Sequence, residues 1–395
     1  MKKQKVCIIG GGLSGLITAH VLAELNLDVD LVTGSKEENI KSNRTTAISQ
    51  ENYNFLKKLK IVTSSQIDFW PCSKMQLYSK NKIGKFEEIF KINKNKNPEE
   101  KILYMINNAQ VVTNLIRKIK KVKSINLKSE KNVSNIVSNG LLKSLKFKNL
   151  DSSKYNLIII CTGSGSNIIK KNLQNEAFHH TYDEWAVTAI VKHTSFKNDT
   201  VRQIFLDNQI FAFLPISNNR TSIVCSIKKN LVKDFYKNNE IKNFFRKEIN
   251  KYAKVFLNKP RLSSKIEYKD LNFMIRNKCY VNRVLLFGDS LHLAHPLVGQ
   301  GFNMILRDLI ILEKILKNKL NLGLDIGSLD VLEEFSDEIK PRNFVYSIGI
   351  DFLRKTFAIN DKSFKSFRNL IISNLDKNNF AKDFAYDVAN RGIRF

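Results

Sequence analysis

Two stretches of the sequence carry glycines and polar residues at spacings that suit the binding of an anionic nucleotide. Residues 10–15, with the sequence GGGLSG, fit the pattern GxGxxG. Glycines at these positions allow a tight turn, close approach of the backbone to a pyrophosphate and close packing of a helix on a strand. Residues 288–303 begin with Gly288-Asp289 and end with the sequence GQGFN. A carboxylate can accept hydrogen bonds from a sugar hydroxyl, so both stretches predict a dinucleotide site.

The elements around the first stretch are those that a dinucleotide-binding turn needs. Residues 6–9 form a strand-like apolar run, residues 16–25 are predicted to be a helix, and a second strand is predicted at residues 29–32. This order makes the motif a strong signal, although it does not choose between FAD and NAD. Thr33 stands where an acidic residue that binds the adenosine ribose is usual. A secretory signal peptide is the rival interpretation of this basic N-terminus, and the clustered glycines disfavour it.

The elements around the second stretch are a strand and a long helix. Residues 283–287 form a short apolar run that ends at Gly288-Asp289, which predicts a buried strand stopped by a turn. Residues 302–316 have the apolar spacing of a buried helix. Because Gly299 and Gly301 lack Cβ atoms, backbone amides at the start of this helix can approach a planar, electron-rich ligand closely. An ordinary strand-loop-helix connection is the alternative.

The stretch 287–308 resembles the signature of the ubiquinone-biosynthesis hydroxylases, which are single-component FAD-dependent aromatic monooxygenases. The resemblance covers nearly the whole chain, closely at residues 5–32 and 283–308 and loosely between them. In this family the late loop lies against the isoalloxazine ring of FAD, where the helix dipole favours the anionic reduced flavin. The resemblance therefore implies FAD as the cofactor and NAD(P)H as a co-substrate.

Two polar segments resemble further landmarks of the family. Residues 42–49 (SNRTTAIS) resemble its early arginine segment, which implies that Arg44 lies over the cofactor. Taken alone, an arginine in a polar loop would be read as a surface residue. Residues 107–110 (NNAQ) resemble a segment with a cofactor-contacting polar residue, which implies Gln110 or Asn108. An asparagine before a helix is also simply explained as a cap.

A third landmark departs from the family pattern. Residues 157–166 (LIIICTGSGS) resemble the third fingerprint of these hydroxylases, a buried strand followed by a glycine-serine turn. Thr162 replaces the usual aspartate of an Asp-Gly pair, and in the family that pair serves FAD and NAD(P)H binding together. The departure concerns the handling of the nicotinamide more than the fold.

The resemblance implies cofactor-binding residues from four parts of the chain. They are Gly10, Gly12, Leu13, Ser14, Gly15, Arg44, Gln110, Gly288, Asp289, Pro296, Gly299, Gln300, Gly301, Phe302 and Asn303. No catalytic residue and no metal ligand is predicted. His292 and His295 could act as acid–base groups or as structural hydrogen-bond donors, and the sequence leaves this open.

The order of these patterns predicts an α/β fold, with a Rossmann-like FAD-binding domain, an inserted antiparallel-sheet substrate domain and C-terminal helices. β-rich segments follow residue 181, and Phe211 and Phe213 are predicted to belong to the core rather than to line the site. The predicted bounds are 1–70, 101–180 and 276–322 for the FAD-binding domain, 71–100 and 181–275 for the substrate domain, and 323–395 for the C-terminal helices.

Composition bounds the remaining possibilities. With 395 residues, 43% of them hydrophobic, the chain can bury a large core and form about two domains. No run of about 18 apolar residues predicts a membrane span. The five cysteines lack metal-ligand spacing, which indicates reduced thiols in a cytoplasmic protein. The net charge of +28 comes from lysines scattered along the chain, so no nucleic-acid partner is predicted. Between a merely solvated basic surface and a nucleic-acid groove stands a third interpretation, contact with anionic lipid at the inner face of the membrane.

The resemblance implies hydroxylation of a polyprenyl-phenol intermediate of ubiquinone biosynthesis, through a C4a-hydroperoxyflavin and with NAD(P)H and O2. The predicted partner is therefore a lipid-soluble aromatic substrate. Two alternatives stay open, namely an FAD monooxygenase for another aromatic and a non-catalytic flavin-binding partner in a quinone-synthesis assembly. The second alternative is motivated by Thr33, Thr162, Val298 and Ile305, which depart from family preferences.

Overall fold

The computed structural model describes most of the chain. The described residues are 3–34, 43–62, 69–80, 84–93, 100–129, 133–147, 153–172, 177–237, 240–295, 297–359 and 361–393. Pro296, one of the predicted cofactor contacts, and Ser42, the first residue of the arginine segment, lie outside them.

Strands and helices alternate along the first two thirds of the chain, and helices dominate its end. The strands are β1 (Lys5–Ile9), β2 (Asp28–Val32), β3 (Thr45–Ser49), β4 (Phe69–Cys72), β5 (Lys74–Lys80), β6 (Phe86–Asn93), β7 (Leu103–Asn107), β8 (Ile125–Lys128), β9 (Asn135–Asn139), β10 (Leu142–Lys146), β11 (Leu157–Ile160), β12 (Ala177–Lys192), β13 (Thr200–Phe205), β14 (Gln209–Ser217), β15 (Arg220–Lys228), β16 (Arg261–Leu262), β17 (Glu267–Arg276), β18 (Tyr280–Val281), β19 (Val284–Leu286) and β20 (His292–Leu293). The helices are α1 (Leu13–Glu24), α2 (Gln50–Lys58), α3 (Asn108–Ile119), α4 (Asn167–Asn172), α5 (Lys233–Lys237), α6 (Ile241–Phe256), α7 (Gly301–Asn321), α8 (Leu329–Ala358), α9 (Lys362–Lys377) and α10 (Asn379–Arg391).

A mainly parallel sheet holds both glycine-rich stretches. Its strand order is β18-β19-β11-β1-β2-β8, and only the β18 edge is antiparallel. All four residues of β11 are buried and apolar, as expected for a parallel strand that is covered on both faces. One apolar core joins this sheet to α1, α3, α7 and the start of α8. These features confirm the predicted α/β class with a Rossmann-like sheet.

A second, mainly antiparallel sheet lies beside the first. Its order is β20-β17-β12-β15-β14-β13-β5-β6, with β16 paired to β12 and one parallel pair between β13 and β5. Helix α6 covers it, and Phe245 and Ile249 of this helix pack into the same core cluster as Phe211 and Phe213. Those two phenylalanines are 0% and 1% exposed, which confirms their prediction as core residues. Strands from residues 74–93 and 177–276 therefore belong to one sheet.

The C-terminal helices begin with one long element. The apolar pieces expected at residues 331–335 and 344–357 form the single 30-residue helix α8, with Pro341 inside it. A proline inside a helix removes one backbone hydrogen-bond donor. Beyond Pro341, α8 stays attached to α7 through Asn343 and to the loop before α7 through Tyr346, and this packing keeps the helix continuous. Among the helices in the described ranges, none has the length and apolar character needed to cross a bilayer.

Candidate cofactor site

Three parallel strands end at one edge of the first sheet and bring the sequence landmarks together. The backbone N–H of Gly10 donates to Val32 O at 2.9 Å, that of Cys161 to Ile9 O at 2.7 Å, and that of Phe287 to Ile160 O at 3.0 Å. The GxGxxG turn, the Thr162 turn and the Gly288-Asp289 turn therefore lie side by side. Ligands of open α/β sheets bind at this carboxyl edge.

Two glycines of the first stretch are required by packing within the protein. A Cβ on Gly15 would lie 2.0 Å from Gly10 O, because α1 packs directly on the turn that precedes it. Gly10 has a φ of +131°, and its Cβ would lie 2.5 Å from Cys161 O. These two positions hold the helix close to the sheet, as the third and first glycines of a dinucleotide motif do.

The middle of the motif is open, in contrast to its two ends. A Cβ on Gly12 would meet no protein atom within 4 Å. Gly12 is the N-cap of α1, and because it has no side chain, the N–H groups of the first turn receive no cap hydrogen bond from it. The first backbone N–H groups of α1 are thus available to an anion. Close by, the side chain of Thr33 contacts Gly11, and its Oγ1 is buried without a hydrogen-bond partner. An open cradle and an unpaired hydroxyl fit the pyrophosphate and adenosine end of FAD.

The late stretch meets the early one at the start of α1. Gly288 has a φ of +66°, and a Cβ there would lie 3.1 Å from the side chain of Ser14. The turn is fixed by Arg276, whose Nε donates to Ser290 O at 2.7 Å and whose Nη2 donates to Ser164 O at 3.3 Å. Arg276 was not found from the sequence, because a lone arginine at the end of β17 carries no local signal.

The loop before α7 is held by packing on one side and is open on the other. Gly299 has a φ of +66°, and its Cβ would lie 3.0 Å from Ala47 Cβ, whereas a Cβ on Gly301 would meet nothing within 4 Å. The buried side chain of Gln300 accepts a hydrogen bond from Tyr346 Oη at 2.8 Å. The open position lies where the resemblance implies the flavin ring, and Phe302 follows it half-buried.

Asn303 ties this loop to the arginine segment. Its Oδ1 accepts hydrogen bonds from Ser49 N and Asn52 Nδ2, both at 2.9 Å, and its Nδ2 donates to Ala47 O at 3.0 Å. The residue is 1% exposed. Its side chain therefore orients β3 against α7, and any contribution to the cofactor comes through that positioning.

Strand pairing brings Arg44 next to the polar segment before α3. β3 pairs antiparallel with β7, and Asn108 N donates to Arg44 O at 3.1 Å. The helix cap is Asn107, whose Oδ1 accepts from Gln110 N at 3.2 Å, so the capping role considered for Asn108 belongs to its neighbour. Asn108 Oδ1 is buried without a hydrogen-bond partner, and Gln110 is half-buried. The unpaired amide oxygen is a second group that fits a bound ligand.

A lysine of the second sheet joins this cationic edge. Lys269 of β17 reaches solvent, yet the surrounding protein partly desolvates its ammonium and lowers its pKa. The positive charge of Arg44 lowers that pKa further, whereas the carboxylate of Asp289 raises it. Lys269 is thus within electrostatic reach of both Arg44, which precedes β3, and Asp289 in the late turn. Two cations at this edge suit a pyrophosphate or an anionic flavin.

A buried polar cluster lies behind the loop and was also missed from the sequence. Pairing of β12 with β17 shifts between Thr181 and Trp185, and Asp183 has a φ of +53°. Such a bulge redirects side chains. It places Glu184, 6% exposed, where its Oε2 lies 3.3 Å from His295 Nε2 and its Oε1 accepts a hydrogen bond from Arg354.

The charges within this cluster follow from its burial. Burial alone would raise the pKa of the Glu184 carboxyl, but the hydrogen bonds from His295 and Arg354 lower it below its ordinary value. Burial lowers the pKa of the His295 imidazole, although the partnership with Glu184 opposes this. Tyr182 packs edge-on against His295 with ring centres 5.0 Å apart, and Arg354 lies 4.4 Å above the tyrosine ring.

His292 has a structural role. Its Nε2 lies 2.8 Å from Asp308 Oδ2, and both side chains are buried. Asn343 of α8 donates to both carboxylate oxygens of Asp308, at 2.9 and 3.0 Å. These bonds tie the late turn to α7 and α8 through His292, which supports the interpretation of this histidine as a structural hydrogen-bond donor.

Two family models each match half of the chain or more. The model described as squalene epoxidase matches residues 154–382. The model described as pyridine nucleotide-disulphide oxidoreductase matches residues 4–201. The first therefore covers seven of the nine strands of the second sheet, the late loop and most of the C-terminal helices. The second covers the glycine-rich turn and four of the six strands of its sheet.

Curated relatives point to quinone chemistry. The chain is 26% identical to the mitochondrial ubiquinone biosynthesis monooxygenase COQ6 of Dictyostelium discoideum, over 94% of this chain and 88% of that protein. It is 23% identical to the ubiquinone hydroxylase UbiM of Neisseria meningitidis, over 69% of this chain and 55% of that protein. It is also 23% identical to squalene epoxidase 5 of Arabidopsis thaliana, over 92% of this chain and 71% of that protein.

Solved structures share the fold. The p-nitrophenol 4-monooxygenase PnpA of Pseudomonas putida superposes with a TM-score of 0.76 at 16% identity, over 100% of this chain and 99% of that one. The Klebsiella pneumoniae protein HpxO, in complex with FAD and uric acid, gives a TM-score of 0.76 at 14% identity, over 98% of this chain and 97% of that one. At these identities the likeness concerns the architecture.

Proposed function

The chain belongs to the FAD-dependent monooxygenases that include the ubiquinone-biosynthesis hydroxylases and the squalene epoxidases, and from this premise we propose that it hydroxylates an aromatic polyprenyl-phenol intermediate of ubiquinone biosynthesis. The observation that carries the flavin part of the proposal is the close approach of Gly288 to the side chain of Ser14, together with the open space at glycine positions 12 and 301. The substrate class is inferred from the relatives that are named for ubiquinone biosynthesis. FAD, when bound, supplies the activation of O2 that amino-acid side chains cannot provide.

The residues of this chain bind and orient that cofactor. We assign the pyrophosphate to residues 10–15 at the N-terminus of α1, the ribityl chain to Gly288 and Asp289, and the ring to the loop 296–303. Arg44 and Lys269 offset negative charge, and Gln110 completes the edge beside Arg44. The buried cluster around Glu184 and the aromatic side chains near it exclude water from the rear of the loop.

Three finer points belong to the same proposal. We propose NAD(P)H as the electron donor, a lipid-soluble aromatic as the substrate, and a cytoplasmic location with peripheral contact at the inner face of the membrane. The five cysteines are unpaired and four of them are buried, which suits a reducing compartment. We also propose participation in a quinone-synthesis assembly, because relatives of the chain are named for ubiquinone biosynthesis, a pathway of several steps on one lipid-soluble substrate.

We further propose that the two sheets divide the work. Residues 71–100 and 181–275 would form the substrate domain, since β5, β6 and β12 to β17 share the second sheet. Residues 1–70, 101–180 and 276–322 would bind FAD, and residues 323–395 would pack against both. A substrate held between the sheets would face the loop that starts α7.

The test is a spectrum followed by product analysis. The purified protein should be yellow, NAD(P)H should reduce it under anaerobic conditions, and NAD(P)H oxidation should rise when a short-chain prenyl phenol is added. Deletion of the gene should cause an unhydroxylated ubiquinone precursor to accumulate. Normal quinone levels in the deletion strain would rule out this substrate assignment.

Two other outcomes have a physical basis. The squalene epoxidase model matches 154–382, so conversion of an apolar alkene to an epoxide is a second candidate, and mass spectrometry of the product distinguishes it from a phenol. Thr162 is exposed at the end of β11, where the family carries an aspartate. If the protein binds FAD but no nicotinamide reduces it, the non-catalytic partner in an assembly becomes the better function, and Thr162→Asp tests whether the departure is the reason.

A further inference from the structure

A row of polar side chains lies along one side of α8, next to the cofactor loop. Its members are three or four positions apart and therefore share that side of the helix: Asn343, Ser347, Asp351 and Arg354. Asn343 bonds Asp308 in α7. Arg354 bonds Glu184, the partner of His295. The row thus connects a buried group before the loop 296–303 with one after it.

Asp351 connects the row to the surface. Its Oδ2 lies 2.8 Å from Nζ of the exposed Lys355, and its Oδ1 lies 3.8 Å from Nε2 of the half-exposed His180. The ring of His180 stacks on Phe273 and meets the ring of Tyr182 edge-on. The aromatic rings therefore shield the row from bulk water, and Asp351 is its point of contact with surface groups.

Several buried polar atoms around this row have no hydrogen-bond partner in the protein. Within the part of the chain that the structure describes, they are Tyr182 Oη, His295 Nδ1, Ser347 Oγ, Asp351 Oδ1 and Arg354 Nε. Ring packing joins Tyr182 to His295 and the Arg354 guanidinium to Tyr182, so these atoms form one cluster. Buried polar groups of native proteins are paired with protein or with ordered water, and a buried water commonly has about three such partners. The cluster therefore fits a short chain of ordered water molecules.

The protonation of the groups in this cluster suits the passage of a proton. Burial raises the pKa of Tyr182, and the charge of Asp351 raises it further, so the hydroxyl keeps its proton and can both donate and accept. The lowered pKa of Glu184 keeps it ionised, so His295 donates to it from Nε2 and keeps a lone pair on Nδ1. Burial lowers the pKa of His295, whereas the carboxylates of Glu184 and Asp351 oppose this. The neutral imidazole can thus take up a proton and release it again.

The proposed reaction consumes a proton that has to come from solvent. Hydroxylation of an aromatic ring follows the balance ArH + O2 + NAD(P)H + H+ gives ArOH + NAD(P)+ + H2O. The co-substrates supply a hydride and both oxygen atoms, and one further proton completes the water molecule that is released. A loop that excludes bulk water needs a fixed path for this proton.

We propose that His295 and the water molecules of this cluster form the proton route between solvent and the cofactor loop. A proton enters at the Asp351 carboxylate and passes along waters that Tyr182 Oη and Ser347 Oγ hold. It arrives at His295 Nδ1, which holds it and hands it on to the loop that follows in the chain. The inference deepens the proposed function and rests on it for the reaction that consumes the proton.

A high-resolution crystal structure of the FAD-loaded protein tests the path without any measurement of activity. Ordered waters should lie within hydrogen-bond distance of the four path atoms and connect them: Asp351 Oδ1, Tyr182 Oη, Ser347 Oγ and His295 Nδ1. Direct bonds among these atoms, with no water between Asp351 and His295, would overturn the proposal.

A second test measures proton uptake without substrate or nicotinamide. The FAD-loaded protein is reduced with dithionite in the absence of oxygen, desalted, and mixed with O2 in weak buffer that contains a pH indicator. Reoxidation follows the balance reduced flavin anion + O2 + H+ gives FAD + H2O2, so each flavin takes up one proton. Tyr182→Phe, which removes a hydroxyl that holds water, and Asp351→Asn, which cannot take up a proton, should each slow this uptake at least about tenfold.

The matched control is Asp337→Asn, the same change at an exposed position of the same helix, and it should take up protons like the wild type. Tyr182→Phe is the variant that folding should tolerate best, because its Oη bonds no protein atom. FAD content and melting temperature show whether each variant is folded. A merely structural cluster predicts a lower melting temperature with unchanged proton uptake, and uptake at the wild-type rate in both path variants overturns the route.

The same measurements separate failure of the route from failure of the proposed function. Slowed proton uptake in the path variants of a protein that hydroxylates no phenol would keep the route and remove the function. Hydroxylation of a prenyl phenol, with proton uptake unchanged in every variant, would do the reverse.

Discussion

Two alanine substitutions in the same motif should have opposite kinds of effect. In Gly15→Ala the new Cβ would lie 2.0 Å from Gly10 O, so α1 must move away from the turn. In Gly12→Ala the new Cβ meets no protein atom within 4 Å, and the backbone there, with a φ of −75°, suits alanine. The first change should therefore damage the fold, and the second should damage only the binding of a ligand.

The magnitudes follow from these contacts. Forcing extra volume into packed structure costs about 1–3 kcal/mol, and a backbone oxygen at this distance puts Gly15→Ala at about 3 kcal/mol or more. For a protein of this size that corresponds to roughly 4 °C or more in melting temperature. Gly12→Ala should leave the melting temperature of the FAD-free protein within about 1–2 °C. It should raise the dissociation constant for FAD at least about tenfold, because the methyl group occupies the place of the pyrophosphate.

The assay needs the FAD-free form of each variant. Melting temperatures are measured by calorimetry before FAD is added, and affinity is then measured from the quenching of flavin fluorescence during titration. Gly301→Ala provides a second ligand-side variant, since that position is equally open. The reasoning is refuted if Gly12→Ala binds FAD as tightly as the wild type, or if Gly15→Ala melts at the wild-type temperature.

Three further predictions concern the charged groups. Glu184→Gln leaves the buried Arg354 guanidinium without its carboxylate and should lower the free energy of unfolding by about 3 kcal/mol in urea titrations, whereas Glu338→Gln, which breaks an exposed pair, should lower it by less than about 1 kcal/mol. Because burial lowers the pKa of His295, the contribution of this residue to stability is complete above pH 6.5 and is lost as the pH falls toward the folded pKa, at up to about 1.4 kcal/mol per pH unit. His295→Gln should therefore flatten the stability profile below pH 6.5, as measured by urea titration at a series of pH values. Lys269→Gln should weaken FAD binding more at low than at high salt, and equal affinity at low salt would contradict a role at the cofactor edge.

The parts of the site that sequence predicts best are those set by local backbone requirements. Gly10 and Gly288 need positive φ, and Gly15 needs the absence of a Cβ, so residue type alone carries the information. The strand runs around them are continuous and apolar because both faces of the parallel sheet are covered. The glycine turns thus predict where the strands end, and the apolar strands predict where the turns begin. For this reason the Rossmann-like sheet and its ligand-binding edge could be predicted from the sequence.

The missed residues act across elements that are distant in sequence. Arg276 reaches the late turn of the first sheet because β17 ends beside β20. Lys269 lies near the start of the same strand, and the strand's path across the molecule brings its charge within reach of Asp289. The Glu184 cluster depends on the Asp183 bulge, and a single aspartate with positive φ in a strand has no reliable sequence signal. β12 also carries histidines, Asp183 and Lys192, so Glu184 does not stand out in the sequence. Charged residues in strands are too often solvent-facing for a single glutamate to predict a site.

Helix α8 explains why the cofactor loop can hold an open glycine position without collapsing. From its inner side, Asn343 bonds Asp308 of α7, Tyr346 bonds Gln300 in the loop, and Arg354 bonds Glu184, the partner of His295. One helix therefore holds the loop at three points: at His295 before it, at Gln300 within it and at Asp308 in the helix that follows it. The bonds of Asn343, Tyr346 and His295 are buried and that of Arg354 is partly buried, so breaking any of them would leave an unpaired polar group. This penalty keeps the loop in place before any ligand arrives.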